Sequence, residues 1–325
     1  MNSSPSPELP VPTLPVSTKP EPRRTRKPSA RRGQAPLALI YLLLLGPVAF
    51  LVVFNYVPAI SALYHAFTRW DVGAESEWIG LANFREMLTD PVLIQSVYNL
   101  ARLGSFMFIA LLTVPFIVAE MIYHLKSDRA SYLCRVAVVL PMIVPGVVVF
   151  MIWRYIYSDA GILTELLTAL GLHDWIYGWL SHPKTALWAV AFVGFPFASG
   201  FHVLIYYAGL ANIPQGIIEA ADLDGLGPLG RIFRIHIPLI LEQVKLLVIF
   251  TAITVVNGFE SIYILTQDGG PGYATMVPGL HMFFNGFSYQ RMGYACAIGL
   301  VMLAFLLTFT LLMNRLVRSD YASGG

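Results

Sequence analysis

The chain has 325 residues, of which 56% are hydrophobic and only 12% charged, with 21 Lys and Arg against 19 Asp and Glu and a formal net charge of +2. A soluble domain carries about twice that share of charge, so too few ionic groups remain to cover a globular surface, and the near-neutral balance offers no basic face to nucleic acid. These figures exclude an ordinary cytosolic enzyme, a disordered regulator and a nucleic-acid binder; what remains is an all-α, polytopic membrane protein.

In chain order, residues 1–35 come first and differ from the rest. Pro5, Pro7, Pro10, Pro12, Pro15, Pro20, Pro22 and Pro28 punctuate them, and Arg23, Arg24, Arg26, Lys27, Arg31 and Arg32 form a basic run. Proline at this density builds neither helix nor core, so a disordered cytoplasmic arm that fixes topology by its charge is expected, with lipid or protein docking as its alternative role. A signal peptide is a poor fit, because the apolar run that follows is too long and no small-residue cleavage site closes it.

From residue 36 the sequence falls into apolar stretches of spanning length. Six transmembrane helices are predicted, over 36–54, 92–123, 133–157, 185–210, 239–265 and 293–316. They make a six-helix domain over 36–318, followed by a short tail over 319–325. With the amino terminus inside, the larger share of Lys and Arg lies on the cytoplasmic side, so both termini are read as cytoplasmic. Trp70, Trp78, Trp175 and Trp179 fall in external loops and read as interfacial anchors or lid aromatics. Cys134 and Cys296 are far apart and lie in no metal-ligand spacing, so neither a disulfide nor a metal site is expected.

The loop over 211–238, between the fourth and fifth spans, is the longest cytoplasmic link. Pro214 starts a short helix whose formers are Glu219, Ala220 and Ala221, and Gly225, Gly227 and Pro228 break it. A second short helix follows over 229–235. Two short helices at an angle make a knob with small residues that admit a partner closely and one fixed charge, Glu219, for a basic side chain. Ile232, Phe233 and Ile237 are expected to anchor the knob to the bundle.

Glu219-Ala220-Ala221, Gly225, Ile235 and Ile237-Pro238 stand at the spacing of the EAA loop, and the segment resembles that loop in binding-protein-dependent ABC importer permeases. Only the residue before the proline departs, isoleucine standing for leucine. Further segments resemble the carbohydrate-uptake, maltose-transporter-like branch. They are 79–84 (Ile-Gly-Leu-Ala-Asn-Phe), Leu140-Pro141 with Val144-Pro145 and Trp153, 265–272, and 293–299 (Gly-Tyr-Ala-Cys-Ala-Ile-Gly). The loop over 265–272 departs by an extra or substituted residue.

The resemblance implies a type I ABC importer permease fold in a bacterial inner membrane. It implies a second, similar permease, two ATP-binding subunits docked on the EAA loops, and an external solute-binding protein. Glu219, Ala220, Ala221, Asp224, Gly225, Phe233, Ile235 and Pro238 are then the ATPase-coupling residues. ATP and Mg2+ belong to the partner subunits, because no G-x-x-x-x-G-K-[ST] occurs here and no glycine precedes a lysine. The chain is read as a transport subunit that breaks no covalent bond.

Ionisable and polar groups within spans are candidates for the solute path. Asn257, Glu260 and Tyr263 are spaced three apart and share a face of one continuous helix. They can meet sugar hydroxyls while Phe259 or Tyr263 stacks on a ring. Tyr206 and His202 lie one turn apart in the fourth span, with a core role as the alternative. Asn99 and Arg102, with Arg154 and Tyr155, would suit an acidic sugar, with interfacial snorkelling as the alternative. Glu120 and Lys126 read as facing water. A sugar or oligosaccharide is the expected solute; an acidic oligosaccharide, a polyol or a glycerol phosphodiester is the runner-up. An ion-coupled secondary carrier would need a carboxylate relay and repeats, and no repeat is visible.

Overall fold

A computed structural model describes residues 37–71 and 73–316. The predicted arm over 1–35 and tail over 319–325 lie outside the described residues. The chain divides into two units, 1–55 and 56–325. In the first, α1 (Leu37–Leu51) is an all-apolar helix that leads into a π-helical turn, Val52–Tyr56.

The second unit opens with α2 (Val57–His65), a two-strand antiparallel ribbon of β1 (Thr68–Arg69) and β2 (Glu77–Trp78), and α3 (Ala82–Met87). The longest element, α4 (Pro91–Tyr123), follows. Its start is built by two signals. Pro91 occupies the first turn, where no amide partner is needed, and Asp90 caps it, Oδ1 accepting from the amides of Val92 at 2.9 Å and Leu93 at 3.2 Å.

The expected third span is bent. α5 (Asp128–Val139), running on through a 3-10 turn to Ile143, meets α6 (Gly146–Ile156) at 86°. Pro141 and Pro145 explain the corner: each lacks an amide hydrogen, and Val144, just before Pro145, is extended at ψ 125°. After α7 (Ile162–Ala169), the expected fourth span is broken into α8 (Ala186–Ala191) and α9 (Gly200–Ala211). Between them Gly194 and Phe197 take positive φ, and the Phe195–Pro196 peptide is cis. The two positive-φ residues interrupt the helical winding, so this apolar stretch does not make one helix.

The knob comprises α10 (Gln215–Leu223), α11 (Pro228–Arg231), a π-helical turn over Ile232–His236, and α12 (Ile237–Leu239). The expected fifth span is also interrupted: α13 (Leu241–Asn257) stops at Gly258, whose ψ is 67°, and α14 (Glu260–Thr266) resumes. α15 (Pro278–Phe283) precedes α16 (Met292–Leu316), which matches the predicted sixth span. Among the described residues, four helical stretches are long and apolar enough to cross a membrane: Tyr41–His65, Pro91–Tyr123, Leu241–Thr266 and Met292–Leu316. Counting the bent pair as one span makes five; the six unbroken helices of the sequence reading are not all there.

Among the described residues, three apolar clusters hold the second unit together, one of them Leu93 with Tyr294 and Ile298. Near the start of α4, Leu103 packs with Val190, Ile262, Leu265 and Leu280. Near its end, Ala119 and Ile122 pack with Val203, Tyr206, Leu210, Ile218, Ile240 and Leu247. Ile218 belongs to α10, so the knob is seated in the same cluster as the end of α4.

Candidate functional site

The knob is shaped by a helix stop. Gly225 has φ +71°, its amide donates to the Asp222 carbonyl at 3.1 Å, and the Leu226 amide donates to the Ala221 carbonyl at 3.0 Å. This pair of bonds is the Schellman arrangement, and the left-handed residue it needs is the glycine. The chain then doubles back, and Arg231 of α11 pairs with Asp222 of α10, clasping the two short helices.

One side of the knob is bound to the bundle and the other is open. Ile218 and Ala221 are buried, and Ile235 packs on the cluster around Ala119. Glu219, Ala220, Asp224, Gly225 and Pro238 are exposed, as are Leu223 at 90%, Leu229 at 71% and Phe233 at 67%. Phe233 is thus not the anchor expected of it. The deep anchors are His236, fully buried, and Ile240, while Ile232 and Ile237 are half-buried.

His236 was missed in the sequence because its partner lies far away. Its Nδ1 is 2.8 Å from Oε1 of Glu120, 116 residues earlier on α4. Glu120 is 6% exposed, so the expectation that it faces water fails. It sits near the end of an apolar helix, yet His236 of the knob lies against it.

The opposite end of α4 carries a polar collar. Oδ2 of Asp90 takes the Tyr294 hydroxyl at 2.7 Å and lies 2.8 Å from His281 Nε2. Burial raises the carboxyl pKa, but the bonds from Tyr294, His281 and the Leu93 amide outweigh it and hold Asp90 below its ordinary value. Arg291 clamps Glu86 with one nitrogen 2.6 and 2.7 Å from the two carboxylate oxygens. Asn83 donates to the carbonyls of Ala66 at 2.9 Å and Thr68 at 3.0 Å. Gly293 lets α16 touch the β1 backbone: a Cβ there would stand 2.2 Å from the Thr68 carbonyl oxygen.

The solute-path candidates separate into two groups. Asn99 is 1% exposed and gives its amide hydrogens to the carbonyls of Tyr273 and Met276, both at 2.9 Å. His202 is held between Ser199 Oγ at 2.9 Å and Thr251 Oγ1 at 3.1 Å, and Tyr206 packs edge-on against Phe116. These three are core residues in this conformation and present no surface to a solute. Asn257, Glu260, Tyr263, Tyr155 and Arg102 are exposed. The break at Gly258 puts Asn257 at the end of one helix and Glu260 and Tyr263 in the next, so they do not share one continuous helical face. Phe259 is half-buried, its ring 5.6 Å from that of Phe283. α14 packs on α6, and Arg154 Nη1 reaches the Ile264 carbonyl at 3.3 Å. A polar cavity of about 310 Å3 opens beside Arg154, Asp159, Trp179 and Gln267. Trp70 stacks on His65 with ring centroids 3.8 Å apart, and Trp78 is exposed. Among the described residues, no three His, Cys, Asp or Glu side chains are grouped to hold a metal.

The model of a protein family described as the binding-protein-dependent transport system inner membrane component matches residues 100–319. Among relatives, the diacetylchitobiose uptake system permease protein NgcF of Streptomyces coelicolor is 30% identical over 313 residues, covering 92% of this chain and 89% of that protein. The probable ABC transporter permease protein YesP of Bacillus subtilis is 32% identical over 272 residues, 80% of this chain and 84% of its own length. A crystal structure of a bacterial alginate ABC transporter, in complex with an alginate pentasaccharide-bound periplasmic protein, superposes with a TM-score of 0.75. The overlap covers 86% of this chain and 94% of that one at 22% identity, and it carries the fold.

Proposed function

This chain belongs to the family of binding-protein-dependent transport system inner membrane components, and from that premise we propose that it carries a sugar or oligosaccharide inward, driven by ATP on partner subunits. It is a membrane permease subunit, and an extracytoplasmic binding protein delivers its solute. A second permease completes the translocation path. Two ATP-binding subunits, holding ATP and Mg2+, dock on the knobs, and both termini of this chain face them in the cytoplasm.

The observation that carries the reading is the two-sided knob. Its inner side is seated on α4 through Ile218, Ile235 and His236, while Glu219, Ala220, Leu223, Leu229 and Phe233 stand uncovered. Apolar side chains at 67–90% exposure, rimmed by fixed charges, are the composition of a docking surface. When the ATPase pair closes, the two knobs move together and the bundle changes the side on which it opens. Asn257, Glu260 and Tyr263, with Tyr155 nearby on α6, are the groups proposed to meet the solute, carboxylate and phenol bonding hydroxyls and the ring stacking on a sugar face. The carbohydrate class is supported by the uptake system named for NgcF and by the alginate transporter of like fold.

Affinity purification from native membranes in mild detergent tests the assembly. A second permease and an ATP-binding subunit should accompany this chain, with hydrolysis stimulated by the binding protein and lost in Glu219→Lys. A lone chain without ATPase activity would overturn the reading.

A further inference from the structure

The two carboxylates of α4 stand at its two ends. Asp90 caps its start and binds Tyr294 of α16 and His281 of α15; Glu120, near its end, binds His236 of the knob. Thirty residues of one helix separate them, about 45 Å at the α-helical rise. The core beside Glu120 is apolar: Ala119, Ile122, Ile218, Ile235 and Ile240. Apolar surfaces slide over one another, whereas a buried, directional hydrogen bond is satisfied at one register only.

Glu120 and His236 are also poorly compensated. Glu120 Oε2 and His236 Nε2 are buried without a hydrogen-bond partner among the described residues, and His124 Nδ1 lies 3.6 Å from Oε2. Two buried orphan atoms cost stability that an apolar pair of equal volume would not. His236 closes a π-helical turn, whose wider winding re-aims the residues that follow α11. A costly bond at a re-aimed position is poor glue, but it fixes where the knob sits on α4.

We infer that Glu120 and His236 are positioning residues for coupling: their hydrogen bond pins the knob to α4, so that a displacement of the knob is carried along α4 to the collar at Asp90. This rests on the proposed transport function. α9 buttresses the helix where Pro115 interrupts its hydrogen-bond ladder, with Phe116 against Tyr206 at 5.4 Å.

The test uses the whole transporter reconstituted in vesicles, comparing Glu120→Leu and His236→Leu, which keep the volume, with Glu120→Gln, which keeps the hydrogen bond. Solute moved and ATP hydrolysed are measured together. Both leucine variants should assemble and hydrolyse ATP within about twofold of wild type while solute moved per ATP falls at least about tenfold, and the double variant should be no worse than either single one. Glu120→Gln should restore coupling to within about threefold of wild type. Leucine variants that transport as much per ATP as wild type would overturn the inference. So would losses that multiply in the double variant, or complexes that never assemble with leucine on either side, since the pair would then serve folding rather than coupling. A wild-type complex that neither hydrolyses ATP nor moves solute would instead overturn the transport reading.

Discussion

Asp90 and Tyr294 lie 204 residues apart in the chain and 2.7 Å apart through carboxylate and hydroxyl. The bond ties the first turn of α4 to the first turn of α16, and the same carboxylate caps α4 through the Val92 and Leu93 amides. Asp90→Ala removes a helix cap and two charge-assisted bonds, and should cost about 2–4 kcal/mol. Asp90→Asn keeps much of the cap and should cost less. Thermal unfolding of the detergent-solubilised protein measures both. The native state holds the Asp90 pKa below its unfolded value. Its stabilisation is therefore complete above the unfolded value and is lost as pH falls through the folded one. The contribution should be flat above about pH 5 and decline below about pH 4. An equal acid-dependent loss in Asp90→Asn would remove Asp90 as the cause.

Gly293→Ala puts a methyl group 2.2 Å from the Thr68 carbonyl oxygen, and backbone cannot rotate away as a side chain can. A loss of at least about 2 kcal/mol in melting is expected. Gly216→Ala is the matched control, because nothing lies within 4 Å of its Cβ. In the first turn of α10 it should be neutral or stabilising by up to about 1 kcal/mol.

At Gly225 the constraint is conformational rather than steric, since no atom lies within 4 Å of an added Cβ but φ is +71°. Gly225→Val should cost about 1–2 kcal/mol and displace the knob. Gly225→Asn should be tolerated, because asparagine visits the left-handed region. Transport rates of the two variants at equal expression separate the cases; equal loss in both would point to direct contact with a partner instead.

Leu223→Ser and Phe233→Ser should leave the melting temperature of the isolated chain unchanged within about 0.5 kcal/mol, as both side chains are mostly exposed. Retention of ATP-binding subunits through purification should nonetheless fall. Undiminished retention in the double variant would mean the apolar crest is not the docking surface.

Glu260→Gln and Tyr263→Ala should raise the KM for uptake about tenfold or more, the loss of a charge-assisted bond or a stacking ring. Glu260→Gln should do so without lowering stability, whereas Tyr263→Ala also gives up its packing on Phe283 and Phe284. Uptake in vesicles at several solute concentrations gives KM and maximal rate separately. Unchanged KM in both variants would exclude these residues from the path.

Much of this was legible in the chain. The second and sixth spans fall within a residue or two of prediction: Pro91 and Asp90 set the start of the second, and its apolar run continues as helix through Pro115. α10 was readable from Pro214 and Gly225, whose backbone needs are local. The motif residues Asn83 and Tyr294 turn out to hold the collar together, a role no spacing announces. The bend after Leu140 and the gap before Gly200 were signalled by Pro141, Pro145 and Pro196, but an apolar average over 20 residues hides a missing amide hydrogen. Glu120 was misread because its cover, His236, arrives 116 residues later. Burial of a charge is decided by the partner that topology delivers, and a single stretch of sequence does not carry that.

The stop at Gly258 has a consequence for what surrounds this helix. There the ladder of main-chain bonds is interrupted, and the Phe259 amide turns back to the Asn257 carbonyl at 2.9 Å. Hydrocarbon offers nothing to the carbonyls such a gap sets free, and irregular backbone at membrane depth survives only against protein or water. The surface bearing Asn257 and Glu260 is therefore no greasy exterior for acyl chains. Protein or water must stand against it instead.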